Sequence, residues 1–230
     1  MNYIQLIQRL KRESGRSGTV PASVAVLAGD DLNLGAWVAD AWRDVQRRRA
    51  DWAWMRKTVI GPLPNASGAY AATDIDPLAT DLARWQDSTR WYAVRCFATA
   101  TPGQVWDLLW LPYEQFQALF MVAQPAPGAP QYWSVAPDNR LLLGPAPTLA
   151  TYSVRADYWA RPSELALDAD TPGMPAQFHM LLVWRALLEV AGFDAAPEVE
   201  VRAKRNLRMA WSDLLDDQAP RMQLTDEPLA

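Results

Sequence analysis

His179 is the only histidine in the chain, so a Ser-His-Asp or Cys-His mechanism would have to pass through it. It stands inside the apolar run "MPAQFHMLLVWRALLEVAG", and no G-x-S-x-G occurs anywhere, so the expected role is a hydrogen-bonded structural one. Cys96, the single cysteine, lies between Arg95 and Phe97 in a strand-like run and reads as a small core residue. Residues 168–179, "DADTPGMPAQFH", place Asp168, Asp170 and a glycine as the start of a calcium loop does. The fifth position is Pro172 and the twelfth is His179, so the bidentate carboxylate that closes such a loop is missing. The aspartates between residues 74 and 87 could pair as glycosidase carboxylates, but that reaction needs two acids at a fixed separation in a rigid site. With no phosphate loop or dinucleotide fingerprint present, the expectation is no catalytic residue, no cofactor and no metal.

Two other chemistries remain. The stretch "RRRADWAWMRKTV" puts Arg47, Arg48 and Arg49 just ahead of Trp52 and Trp54, which suits either contact with anionic partners or a helix end whose cations complement the dipole. The chain holds 12 Trp against 5 Phe, and a tryptophan suits subunit interfaces and sugar platforms alike. An aromatic-rich carbohydrate-binding module is therefore one alternative, and a carboxylate-based hydrolase another.

The elements that position these residues follow from periodicity. Ile4, Leu6, Ile7 and Leu10 predict a helix over 2–13, ended by "SGRSG". Asp30 or Asp31 is expected to cap a second helix carrying Leu34, Trp37, Val38, Ala41, Trp42 and Val45, with Arg47 to Arg49 in its last turn. From Trp52 the pattern alternates and reads as a strand, stopped by Gly61, Pro62 and Pro64. Residues 61–90 read as a long loop. "WYAVRCF", "QVWDLLWLP", "QYWSVAP", "RLLLGPAP" and "TYSVRADYWARP" read as strands, with a turn at "PDNR" and a small helix at 112–120. A helix starting near Pro175 and ending at Gly192 is apolar nearly all round, which implies contacts on more than one side. The last helix, 197–218, has one apolar stripe along Val199, Ala203, Leu207, Trp211 and Leu214.

The expected fold is α+β: a bundle of the N- and C-terminal helices, 1–60 with 161–218, and a central antiparallel β-rich domain, 61–160, containing the loop 61–90. Residues 219–230 form a flexible tail. Half the chain is hydrophobic, 21% is charged and the net charge is -4, which excludes disorder and a nucleic-acid coat protein. The N-terminal "MNYIQLIQRLKRESG" is amphipathic, unlike a signal peptide. "MLLVW" falls far short of the ~20 apolar residues of a membrane span.

The order of parts resembles a known family. A short first helix, "WVADAWRDVQRRRADWAWMRK", "VWDLLWLPYEQF", "VAPDNRLLLGPAP", and "DADTPGMPAQFHMLLVWRALLEVAGF" followed by "APEVEVRAKRNLRMAW" are similar to the head-to-tail adaptors of tailed bacteriophages, also called connector, tail tubular or gatekeeper proteins. The resemblance runs from about residue 3 to 218. It implies a non-enzymatic structural virion protein of the neck, made in the bacterial host cytoplasm, forming a homo-oligomeric ring, usually a dodecamer. The ring would join the portal protein to the tail hub, nozzle or next tail protein and line the channel for passing genomic DNA without sequence specificity. It would have no membrane partner. Under that resemblance the candidate interface residues are Arg47, Arg48, Arg49, Trp184, Arg205, Arg208 and Trp211. A cyclic heterologous interface would cover the apolar surface that the terminal helices leave over.

Overall fold

The structure is a computed structural model that describes residues 1–86, 93–148 and 152–219. In chain order the helices are α1 (Tyr3–Ser14), α2 (Asp30–Arg48), α3 (Ala72–Ile75), α4 (Tyr113–Phe116), α5 (His179–Phe193) and α6 (Pro197–Gln218). The strands are β1 (Arg56–Pro62), β2 (Ala69–Tyr70), β3 (Leu82–Trp85), β4 (Val94–Ala98), β5 (Thr101–Asp107), β6 (Leu109–Trp110), β7 (Tyr132–Val135), β8 (Leu141–Gly144) and β9 (Tyr152–Ala160). Helices at both ends with strands between make the protein α+β, as expected. The chain divides into two compact units, Met1–Trp54 with Pro162–Ala230, and Met55–Arg161.

The first unit is helical. Asn2 starts α1 with a reciprocal capping box: its side chain accepts from the Gln5 N–H, and the Gln5 side chain accepts from the Asn2 N–H, both at 3.0 Å. Gly15, at φ 70°, ends it in the left-handed region. The residue capping α2 is Gly29, with no side-chain cap; Asp30 and Asp31 fall in the first turn instead. There they still meet the positive end of the dipole, and Asp31 also takes both oxygens to the Lys11 ammonium at 2.9 Å. Leu34, Val38, Ala41, Trp42 and Val45 are buried along α2, while Trp37 is half-buried against Phe193.

Pro175 begins a 3-10 turn, Ala176–Phe178, that leads into α5. Helix α5 packs against α1, α2 and α6. That central position explains why Leu181, Leu182, Val183, Ala186, Leu187 and Val190 bury almost its whole circumference. Much of the apolar surface of this helix is covered by the bundle itself, while Phe193 is exposed and Trp184 and Leu188 are half-buried. Helix α6 spans the expected residues and packs mainly on α5, burying only Ala203 and Leu214 fully.

The second unit holds two sheets. One has the order β1-β9-β4-β5, all antiparallel, with β3 also paired to β9; the other runs β2-β8-β7-β6. Within the second sheet β6 and β7 are parallel, which the expectation of a purely antiparallel meander did not include. Trp85, Val94, Cys96, Trp133, Leu141, Val154 and Ala156 belong to one buried cluster. The "PDNR" turn is present. Asn139 adopts φ 69° there, donates from its side chain to the Ala83 carbonyl at 2.7 Å, and accepts from the Trp85 indole N–H at 2.9 Å. The small helix begins after Pro112 as α4 and widens to a π-helical turn over Gln117–Val122.

Two expectations change here. The strand thought to leave from Trp52 starts at Arg56, because a 3-10 turn, Ala53–Met55, intervenes. Residues 61–86 are also not a bare loop: the end of β1, β2, α3 and β3 occupy them, and Tyr70, Ala72, Ile75 and Ala79 are buried. A Cβ on Gly61 would lie 2.0 Å from the Ile75 carbonyl oxygen, so the backbones of β1 and α3 meet there closely enough to require glycine. The remaining loop positions 87–90, Trp91 and Tyr92 of the first expected strand, Thr151, and tail residues 220–230 lie outside the described residues.

Candidate assembly interface

The sequence places three arginines where α2 ends, and the bundle sorts them. Arg47 is exposed, and Arg48 sets its guanidinium 4.7 Å from the centroid of Trp211 on α6. Arg49 has left helical geometry, lies 5.2 Å from the Trp52 ring, and forms a fork with Asp51 at 3.0 and 3.1 Å. Trp52 is fully buried, donates its indole N–H to the Val45 carbonyl at 2.9 Å, stacks on Trp54 at 4.4 Å, and meets Trp211 edge-on at 6.1 Å. Arginine and tryptophan thus alternate across the ends of α2 and α6.

A groove opens beside them. Its floor is Val45 from α2, Leu181 from α5, and Leu207 with Trp211 from α6; Asp44, Arg48, Arg185, Lys204 and Arg208 rim a cavity of about 280 Å³. Four cations therefore face one acid. Arg185 bonds Asp44 at 2.9 Å and Glu189 at 2.6 Å. Burial works against its charge, but those two carboxylates more than offset burial and hold its pKa above the ordinary arginine value. Lys204 pairs with Glu200, one helical turn earlier. Among the described residues Arg48 and Arg208 have no carboxylate partner, so the lining carries two cations with no acid paired to them beside its apolar residues.

The outer face of α6 carries a second feature. Val201 and Met209 are 69% and 54% exposed, and Arg205 stands between them on the same helical face, four residues from each. Trp184 is half-buried on α5 and does not line the groove. The structure thus gathers Arg48, Arg208 and Trp211 around one cavity, puts Arg49 at the adjoining Trp52, and leaves Arg47, Arg205 and Trp184 elsewhere on the bundle.

Residues weighed for catalysis sit differently. The His179 ring accepts from the N-terminal amine of Met1 through Nδ1 at 2.6 Å, and its Nε2–H donates to the Met174 carbonyl at 3.1 Å. Burial, aided by the neighbouring ammonium, holds its pKa below the usual histidine value. Cys96 is fully buried, and burial pushes its thiol up to about 12. Asp168 accepts from the Val24 N–H, and Asp170 from the N–H groups of Ala166 and Leu167; these bonds to the charged form hold both below the usual carboxylate range. Asp81 binds the Lys57 ammonium and the Tyr158 hydroxyl, which outweigh its burial and lower its pKa. Asp87 lies outside the described residues. No group of three or more His, Cys, Asp or Glu placed to hold a metal ion occurs among the described residues. Of the described tryptophans only Trp110 is exposed, so no row of open rings is available for stacking.

The family described as SU10 adaptor protein matches residues 1–230. The chain belongs to that family. A search of curated proteins finds no match. Membership in the SU10 adaptor family makes this a structural protein of a bacteriophage virion with a part in tail assembly, placed at the neck and assembling with portal and tail proteins. No helix among the described residues is long and apolar enough to cross a membrane. The adaptor's bundle groove includes Asp44, Leu181, Arg185 and Lys204, which the sequence does not single out, and Val45 and Leu207, which periodicity gives as members of apolar stripes. One signal was available, since Arg185 interrupts the apolar run "MLLVWRALL", and a charge in the middle of such a helix needs partners.

Proposed function

We propose that this protein forms a ring of identical subunits, a dodecamer in keeping with the head-to-tail adaptor resemblance, that joins the portal vertex to the tail. Genomic DNA passes through the ring without sequence-specific contact, and the net charge of -4 suits a bore along which DNA slides. The observation that carries the reading is the family match over the whole chain. The bundle supports it: α6 shows apolar Val201 and Met209 to solvent beside Arg205, and the groove is lined by Arg48 and Arg208, which have no carboxylate partner among the described residues. Exposed apolar side chains rimmed by charge mark contact surfaces. We assign subunit or portal contacts to Arg47, Arg48, Arg49, Trp184, Arg205, Arg208 and Trp211 on this basis. The role is structural, and the chain acts by holding neighbours in place. A binding assay with purified portal particles tests the reading: labelled protein should cosediment with portals at a fixed ratio of copies per vertex, and absence of binding would reject it.

A further inference from the structure

Between α3 and β3 the chain presents Leu78 with 86% of its surface exposed, more than any other large hydrophobic side chain among the described residues. The position is held there by its own turn. The Leu78 N–H donates to Asp76 Oδ1 at 2.9 Å, and Asp74 Oδ2 accepts from the Ala71 N–H at 2.7 Å. Each carboxylate uses one oxygen in this way, and neither forms an ion pair among the described residues. An apolar knob is thus displayed just after two acids that form no ion pair among the described residues.

The bundle groove has the inverse pattern. Arg185 and Lys204 are neutralised by Asp44, Glu189 and Glu200, whereas Arg48 and Arg208 form no ion pair among the described residues, and both line the same cavity as apolar Val45, Leu181, Leu207 and Trp211. Two cations without an ion pair among the described residues line a hole of about 280 Å³; two acids without one there precede a knob of one leucine. A phosphate backbone would satisfy the arginines but leave the apolar floor uncovered, while a leucine with carboxylates next to it in the chain answers both.

We propose that Leu78 of one copy, with Asp74 and Asp76 beside it, docks into the groove rimmed by Arg48 and Arg208 of a second copy. This rests on the ring reading above and names one contact within it. Knob and hole are different patches of one chain, so the contact is heterologous and propagates from copy to copy, as ring closure requires.

Two full-length variants, Leu78→Cys and Leu207→Cys, purified separately, carry the test, because a disulfide forms only when the α carbons approach to about 4.4–6.8 Å. Mixed under mild oxidation, they should give a dimer containing one chain of each kind, several-fold in excess of either homodimer. Arg208→Cys on the rim serves in place of Leu207→Cys if the latter folds poorly. Cys96 is buried and stays out of the exchange. Adding Arg48→Glu to the groove partner should cut the mixed dimer several-fold, and adding Asp76→Arg to the knob partner should restore it. A mixed dimer no more abundant than the homodimers overturns the proposal, as does loss of the mixed dimer on adding duplex DNA, which would give the groove to nucleic acid. Rings that the two cysteine variants form on the portal without this disulfide would sink the contact alone, whereas failure of portal binding would sink the ring reading itself.

Discussion

Arg48 covers Trp211, guanidinium carbon to ring centroid 4.7 Å, and Trp211 in turn meets the buried Trp52 edge-on at 6.1 Å. A cation from the end of α2 thus closes over an aromatic from α6, joining the groove's rim to the bundle core. A partly exposed cation–π pair contributes about 0.5–1 kcal/mol.

Replacing Arg48 and Arg208 together by serine should therefore leave the protein folded, with a loss of about 1 kcal/mol, and weaken binding to portal particles several-fold. Circular dichroism melting and cosedimentation read the two effects separately. Arg47→Ser alone should change stability by less than about 0.5 kcal/mol, because Arg47 is an exposed surface side chain. Portal binding by the double variant equal to that of the wild type would remove these arginines from the interface.

Trp52→Ala should be the most damaging single change near the groove. The side chain is fully buried, stacked on Trp54 and hydrogen-bonded to the Val45 carbonyl, and truncating such a residue costs about 3–5 kcal/mol. Urea denaturation should show a correspondingly lower midpoint; an unchanged midpoint would mean that Trp52 is not part of the core.

Gly61→Ala tests whether the segment after β1 is structured. A Cβ there would meet the Ile75 carbonyl oxygen at 2.0 Å, so α3 must move away from β1, a strain of about 1–3 kcal/mol. Were 61–86 a loose loop, the added methyl would leave the melting temperature as it is.

His179 gives a pH dependence with a defined sign. Burial holds its folded pKa below the unfolded value, which is about 6.5, so below that pH the unfolded chain binds the extra proton first. Stability is complete above about pH 6.5 and declines as the pH falls through it. Denaturant midpoints for the wild type should drop between about pH 7.5 and 5.5, and His179→Gln, which keeps a donor and an acceptor, should flatten that drop. Parallel curves for the two proteins would show that another group titrates.

Periodicity located the helices well where one stripe is buried. Helix α6 was legible to the residue because Pro197 opens it and its apolar stripe is narrow. Helix α5 is legible as a helix, and its near all-round apolarity, which implies contacts on more than one side, is met by α1, α2 and α6. A hydrophobicity pattern tells how many sides are buried, not whose atoms bury them. The segment 61–86 was illegible because Tyr70, Ile75 and Ala79 are buried singly, with turns between them, which no helix or strand period captures. Alternation at Trp52 and Trp54 imitated a strand, yet the two rings stack on each other. At the candidate interface the arginine run is plain in the sequence, while the groove that Arg48 and Arg208 both line depends on three helices meeting and has no linear signature.

Copies of this chain are proposed to assemble into a ring on the portal vertex. Electron microscopy of the purified protein mixed with its portal tests it most directly. Class averages viewed down the portal axis should show a closed ring of repeated density beneath the portal; portals left bare, or carrying single unclosed copies, would contradict the account.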